Sequence, residues 1–128
     1  MVMVLVHKLV LYALLGFLGI SLVFPGLMEL FKVQPGSSDF MLTTTDARNQ
    51  FRALHGMMAG LGILALWACL DIESSRGLVL WLGVIMAMLV IARGYSILVD
   101  GMPGTMSLVY LVVELALAMV FLLWPPPL

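Results

Sequence analysis

Ile91-Ala-Arg-Gly-Tyr-Ser-Ile-Leu-Val-Asp-Gly-Met-Pro-Gly104 decides how this chain is read. The stretch begins inside a long apolar run and places Arg93 within that run. It ends in a turn, Asp100-Gly-Met-Pro-Gly104, that leads straight into a second apolar run. Two such runs joined by a short turn are what a membrane hairpin requires. An arginine inside a membrane run is costly unless it reaches the interface or meets a partner. The stretch therefore predicts two consecutive spans and a partner for Arg93.

Composition extends that reading to the whole chain. Of 128 residues, 63% are hydrophobic and 10% charged, and the mean hydropathy is +1.17. Soluble domains are about 45–50% apolar and about 25% charged. A water-soluble chain this short could not bury so much apolar surface, whereas a bilayer solvates it. The net charge of −1 shows no basic excess, so nucleic acid is not an expected partner. The single Cys69 excludes an internal disulfide and a cysteine zinc site. The eleven methionines read as flexible packing rather than as soft metal ligands. No metal and no cofactor is expected.

The apolar runs give four spans, at about 3–24, 49–70, 78–99 and 105–124. The first carries Lys8 near its start, where the side chain can snorkel, and His7 at its membrane end. It lacks a small-x-small cleavage pattern and reads as an uncleaved anchor. Pro25-Gly26 is expected to stop it. Leu27, Leu30 and Phe31 then fall at i, i+3, i+4, which suits a short amphipathic segment lying on the membrane surface. The links at 71–77 and 100–104 are short. The fold expected is an all-α membrane protein: four transmembrane helices in an antiparallel bundle, forming one domain over 1–128, with the interfacial segment after the first helix. Gly16 and Gly19 in the first span, and Gly56-x-x-x-Gly60 in the second, are the expected small-residue contacts between helices.

The polar residues within the spans share faces. Asn49, Arg52 and Gly56 lie at i, i+3, i+7, as do Arg93, Ser96 and Asp100, and again Ser107, Tyr110 and Glu114. At about 1.5 Å per residue, Arg52 lies ~5 Å into its span, Arg93 ~10 Å before its exit, and Glu114 ~14 Å into the last span. All three then occupy the same half of the membrane. Glu114 is expected to pair with Arg93, with Arg52 as a further candidate. Asn49, Ser96, Asp100 and Tyr110 complete the expected polar network, and His55 stands beside it. Lys8 and Arg76 lie on the terminal side, Lys32 and Arg48 on the other. Loop charge thus leaves the orientation open.

Asn49-x-x-Arg52-x-x-x-Gly56, Arg93-Gly-x-Ser96-x-x-x-Asp100-Gly101-x-Pro103 and Glu114 together resemble DUF4345, a family of small bacterial four-helix membrane proteins of uncharacterised function. Leu54-His55 stands where the family pattern is expected to carry a tyrosine. The resemblance implies the four-helix fold, a bacterial inner-membrane location and importance of these polar positions. It implies no reaction.

The chain has no H-E-x-x-H, G-x-S-x-G or Walker-type loop. Three readings remain open. The first is a non-enzymatic accessory or scaffold subunit, partnered by other membrane subunits or by copies of itself. The second is a binder of a lipid or small hydrophobic ligand, in a pocket formed by Arg52, Arg93 and Glu114. The third is a membrane enzyme or proton-coupled carrier centred on Glu114.

Overall fold

A computed structural model describes residues 1–36 and 42–128. Among the described residues there are four helices and no strand: α1 (Val2–Phe31), α2 (Thr45–Leu70), α3 (Arg76–Asp100) and α4 (Thr105–Leu123). Each is long and apolar enough to cross a membrane, with a mean hydropathy of 1.8 to 2.5 in its most apolar window. The 25 residues of α3 extend ~38 Å, against a hydrocarbon core of ~30 Å. The architecture is all-α, and it is consistent with a multi-pass membrane protein.

One expectation is corrected. Pro25-Gly26 does not end the first helix. Residues 27–31, expected as a separate amphipathic segment on the membrane surface, form the last turns of α1. Proline removes one backbone hydrogen bond. Unwinding the helix there would break several backbone hydrogen bonds rather than one. The smaller loss prevails, and packing at Gly26 adds to it. The second helix also begins earlier than expected, at Thr45. The Thr44 hydroxyl accepts the Ala47 N–H at 3.0 Å, which supplies an N-cap.

By its contacts the chain divides into two compact units. One comprises Met1–Leu14 with Asp71–Leu128, the other Leu15–Leu70. In the second unit the C-terminal half of α1 packs on α2. Gly19 lies beside Gly62 and Leu66, and Gly26 beside His55 and Ala59. Contact positions rise on α1 as they fall on α2, so the two form a helical hairpin. The α2 side of the contact is the stripe His55, Ala59, Gly62 and Leu66, at i, i+4, i+7 and i+11. The approach is close enough to require glycine. A Cβ at Gly26 would stand 2.8 Å from the His55 carbonyl oxygen, and one at Gly62 would stand 2.7 Å from the Gly19 carbonyl oxygen.

The glycine expectations change accordingly. Gly19 makes the close contact, but a Cβ at Gly16, Gly56 or Gly60 would meet nothing within 4 Å. At 100° per residue, Gly56 and Gly60 lie roughly 90–130° around α2 from the stripe that meets α1. Gly26 and Gly62 carry the contact, along with Gly19.

In the first unit α3 and α4 form a second hairpin. Gly83 faces Phe121 and Leu122. Val79, Leu82, Met86, Leu117, Ala118 and Phe121 are buried along the same seam. The turn between the helices uses Gly101 at φ +95°, a conformation that glycine adopts without strain. At the other end of α3, the Asp71 carboxylate accepts both the hydroxyl and the N–H of Ser74. These bonds hold the Asp71 carboxyl below the usual carboxylate range, so it is anionic at neutral pH. Arg76 donates to the Pro126 carbonyl. His7 stacks on Trp124 at 4.3 Å between ring centroids and donates through Nε2 to the Trp124 carbonyl at 2.7 Å. Lys8 pairs with Glu73.

Gly26→Ala and Gly62→Ala should each destabilise the protein by about 1–3 kcal/mol through overpacking, while Gly60→Ala should stay within about 0.5 kcal/mol of the parent. Unfolding midpoints compared in one detergent check this. Equal losses at all three positions would contradict the assigned contact face.

Candidate ligand site at the α3–α4 hairpin

Helix periodicity and the turn 101–104 bring two buried-side polar groups together. Arg93 lies seven residues before the end of α3, and Glu114 nine residues after the start of α4. Arg93 Nε donates to Glu114 Oε2 at 2.6 Å and Nη2 to Oε1 at 2.9 Å. Two parallel bonds between a guanidinium and a carboxylate fix orientation as well as distance. The Glu114 side chain is 13% exposed and that of Arg93 35%. The carboxylate is therefore the enclosed partner, and the guanidinium reaches the edge. The Tyr110 ring, one turn before Glu114, lies 5.6 Å from the guanidinium carbon, within cation–π range. One turn after Arg93 on α3, Ser96 Oγ donates to Asp100 Oδ2 at 2.9 Å.

Beside the pair lies a cavity of about 100 Å³, lined by Arg93, Ser96, Ile97, Pro103, Ser107 and Leu111. This exceeds the ~10–15 Å³ that admits one water. Arg93 has five N–H groups, and the two bonds to Glu114 use two of them. The other three, and the Ser107 hydroxyl, have no acceptor among the described residues. The lining thus combines donor-bearing Arg93 and Ser107, and Ser96, with the apolar Ile97, Pro103 and Leu111.

The other residues expected in a polar network are placed differently. Arg52 donates through Nη1 to the Leu30 carbonyl at 2.6 Å and through Nη2 to the Val33 carbonyl at 3.3 Å. The last carbonyls of a helix have no partner within it, and a cation is favoured there by the helix dipole. Arg52 caps α1 from α2. Glu29 supports the same end by accepting the Gly36 N–H at 3.1 Å and a bond from Lys32 at 3.2 Å. His55 donates through Nδ1 to the Phe51 carbonyl at 2.9 Å, and its ring lies 4.1 Å from that of Phe51. Asn49 is exposed in the first turns of α2. Among the described residues no group of three His, Cys, Asp or Glu side chains could hold a metal ion.

A family model described as "Domain of unknown function (DUF4345)" matches residues 10–125, nearly the whole chain. The chain belongs to the DUF4345 family. No curated protein and no solved structure matches it. In this DUF4345 chain the family-like positions divide between two tasks. Arg93, Ser96 and Pro103 line the cavity, Glu114 holds Arg93 and Asp100 bonds Ser96, whereas Arg52 closes a helix end. Ile97, Ser107 and Leu111 complete the cavity. Ser107 shares a helical face with Tyr110 and Glu114, a spacing visible in the sequence. Nothing in the sequence marks Ile97 or Leu111, which resemble every other apolar residue of their helices.

Glu114→Ala and Arg93→Ala should each destabilise the hairpin, because each leaves one charge unpaired. The double variant should lose less than the sum of the singles, by about 0.5–3 kcal/mol. Denaturation of the four proteins in a common detergent measures that coupling, and strict additivity would show that the bonds contribute nothing jointly.

Proposed function

We propose that this protein binds a small amphiphilic ligand within the membrane, at the α3–α4 hairpin. The polar head sits in the cavity beside Arg93, and the tail lies along the apolar helix surface toward lipid. The observation that carries this reading is the cavity's lining. It unites free donors from Arg93 and Ser107 with apolar side chains, a combination typical of small-molecule sites. Arg93 and Ser107 supply the polar lining of this pocket together with Ser96, and Glu114 holds Arg93 in place. The family resemblance supports placement in a bacterial inner membrane.

A second reading is an accessory subunit that docks on a partner helix. Its support is the small-residue face of Gly56 and Gly60, where a Cβ would meet nothing within 4 Å. Small residues spaced by four let membrane helices approach closely. Under this reading Gly60→Leu dissociates a stoichiometric partner or a second copy on native gels. A parent protein that runs as a clean monomer contradicts it.

Ser107→Leu fills the cavity and leaves the Arg93–Glu114 pair in place. Native mass spectrometry of the parent, released gently from detergent, should show one retained amphiphile per chain, and Ser107→Leu should show none. Retention by Ser107→Leu, or a parent that carries nothing, would overturn the ligand reading.

A further inference from the structure

The charge arrangement around the cavity narrows the class of ligand. We infer that the site selects an uncharged, oxygen-bearing head of the acylglycerol type over a phosphate or carboxylate head. The inference rests on the reading that the cavity holds a ligand's polar head.

An arginine at a membrane cavity ordinarily suggests an anion site. Here that arginine is already neutralised. Glu114 takes two of its N–H groups at 2.6 and 2.9 Å, and the carboxylate is the enclosed member of the pair. A second negative charge, Asp100, is exposed at the end of α3 and accepts from the cavity residue Ser96 at 2.9 Å. The local sum is one positive charge against two negative ones. Within this unit the next arginine on α3 is Arg76, seventeen residues away and ~25 Å along the helix, and it is engaged with the Pro126 carbonyl. An incoming phosphate would meet charges that sum to a net negative value, with the Glu114 carboxylate enclosed beside the site.

Donors nevertheless remain. Three Arg93 N–H groups and the Ser107 hydroxyl point to acceptor oxygens that bring no charge, such as an ester carbonyl or a glycerol hydroxyl. The Ser96 oxygen, in the lining, can in turn accept from a hydroxyl of the same head. The site is thus matched to a ligand that both accepts and donates, yet carries no ionised group. Ile97, Pro103 and Leu111 suit the first carbons of an acyl chain.

Monoolein and 1-oleoyl lysophosphatidate share chain and glycerol and differ by the phosphate, so they isolate the effect of charge. Binding of each to the full-length protein in a neutral detergent, read by native mass spectrometry, should favour monoolein at least tenfold. Glu114→Gln leaves an amide oxygen near Arg93 but removes the compensating charge, and should reverse the preference. Asp100→Asn lies at the exposed end of α3 and should narrow the preference several-fold without reversing it. Ser107→Leu should abolish binding of both lipids. A parent that prefers lysophosphatidate, or a preference unmoved by both Glu114→Gln and Asp100→Asn, would overturn the inference. The ligand reading itself would survive that result if Ser107→Leu still abolished binding. Failure of the parent to bind either lipid would sink both.

Discussion

A charge inside hydrocarbon must be answered by the protein itself, because no water is present to answer it. This constraint organises both helical hairpins. Arg93 is answered by a carboxylate, through two bonds to Glu114. Arg52 is answered by backbone, through the carbonyls of Leu30 and Val33 at the end of α1. The same side chain thus meets two different needs. In one case it joins two helices side by side at a fixed register. In the other it closes a helix whose terminal carbonyls would otherwise lack donors.

These polar ties matter more because the apolar seam is thin. Between 17% and 28% of each helix's most apolar window is buried inside the protein, and the remaining surface is available to lipid. Lipid tails are as apolar as leucine, so helix association gains little from hydrophobic burial and relies on close packing and hydrogen bonds. The α1–α2 contact follows the first route, with backbone meeting backbone at Gly19, Gly26 and Gly62. The α3–α4 contact uses both: Gly83 packs against Phe121 and Leu122, and farther along the seam Arg93 meets Glu114.

Chain arithmetic sufficed for some of this and failed elsewhere for identifiable reasons. The meeting of Arg93 with Glu114 could be reached from a four-residue link and the helical rise, because both positions are measured from one turn. Arg52 could not be placed the same way. Its partners are backbone carbonyls, which every residue carries, and Pro25 obscured the fact that α1 continues to Phe31. The glycine face was illegible for a different cause. Gly56-x-x-x-Gly60 and the stripe through Gly62 are both small on paper, and only the neighbouring helix selects between them. The cavity lay further out of reach. It depends on the space left by Ser107 and Pro103 among larger neighbours, and no pattern of residue types encodes an absence of atoms.

The 21-residue separation between Arg93 and Glu114 also bears on how the protein enters a membrane. During synthesis α3 emerges first, with a guanidinium that disfavours partitioning, by about 2.5–3.5 kcal/mol at a span's centre and by less toward the end where Arg93 lies. Its counter-charge arrives only after the turn and half of α4 have been made. Two ionised helices entering singly would each meet that barrier, whereas a preformed hairpin enters with the charges already cancelled. The Gly101–Gly104 link is short and keeps the two helices within reach of each other. With Arg93 and Glu114 paired, α3 and α4 can partition together at a lower charge cost than either helix alone.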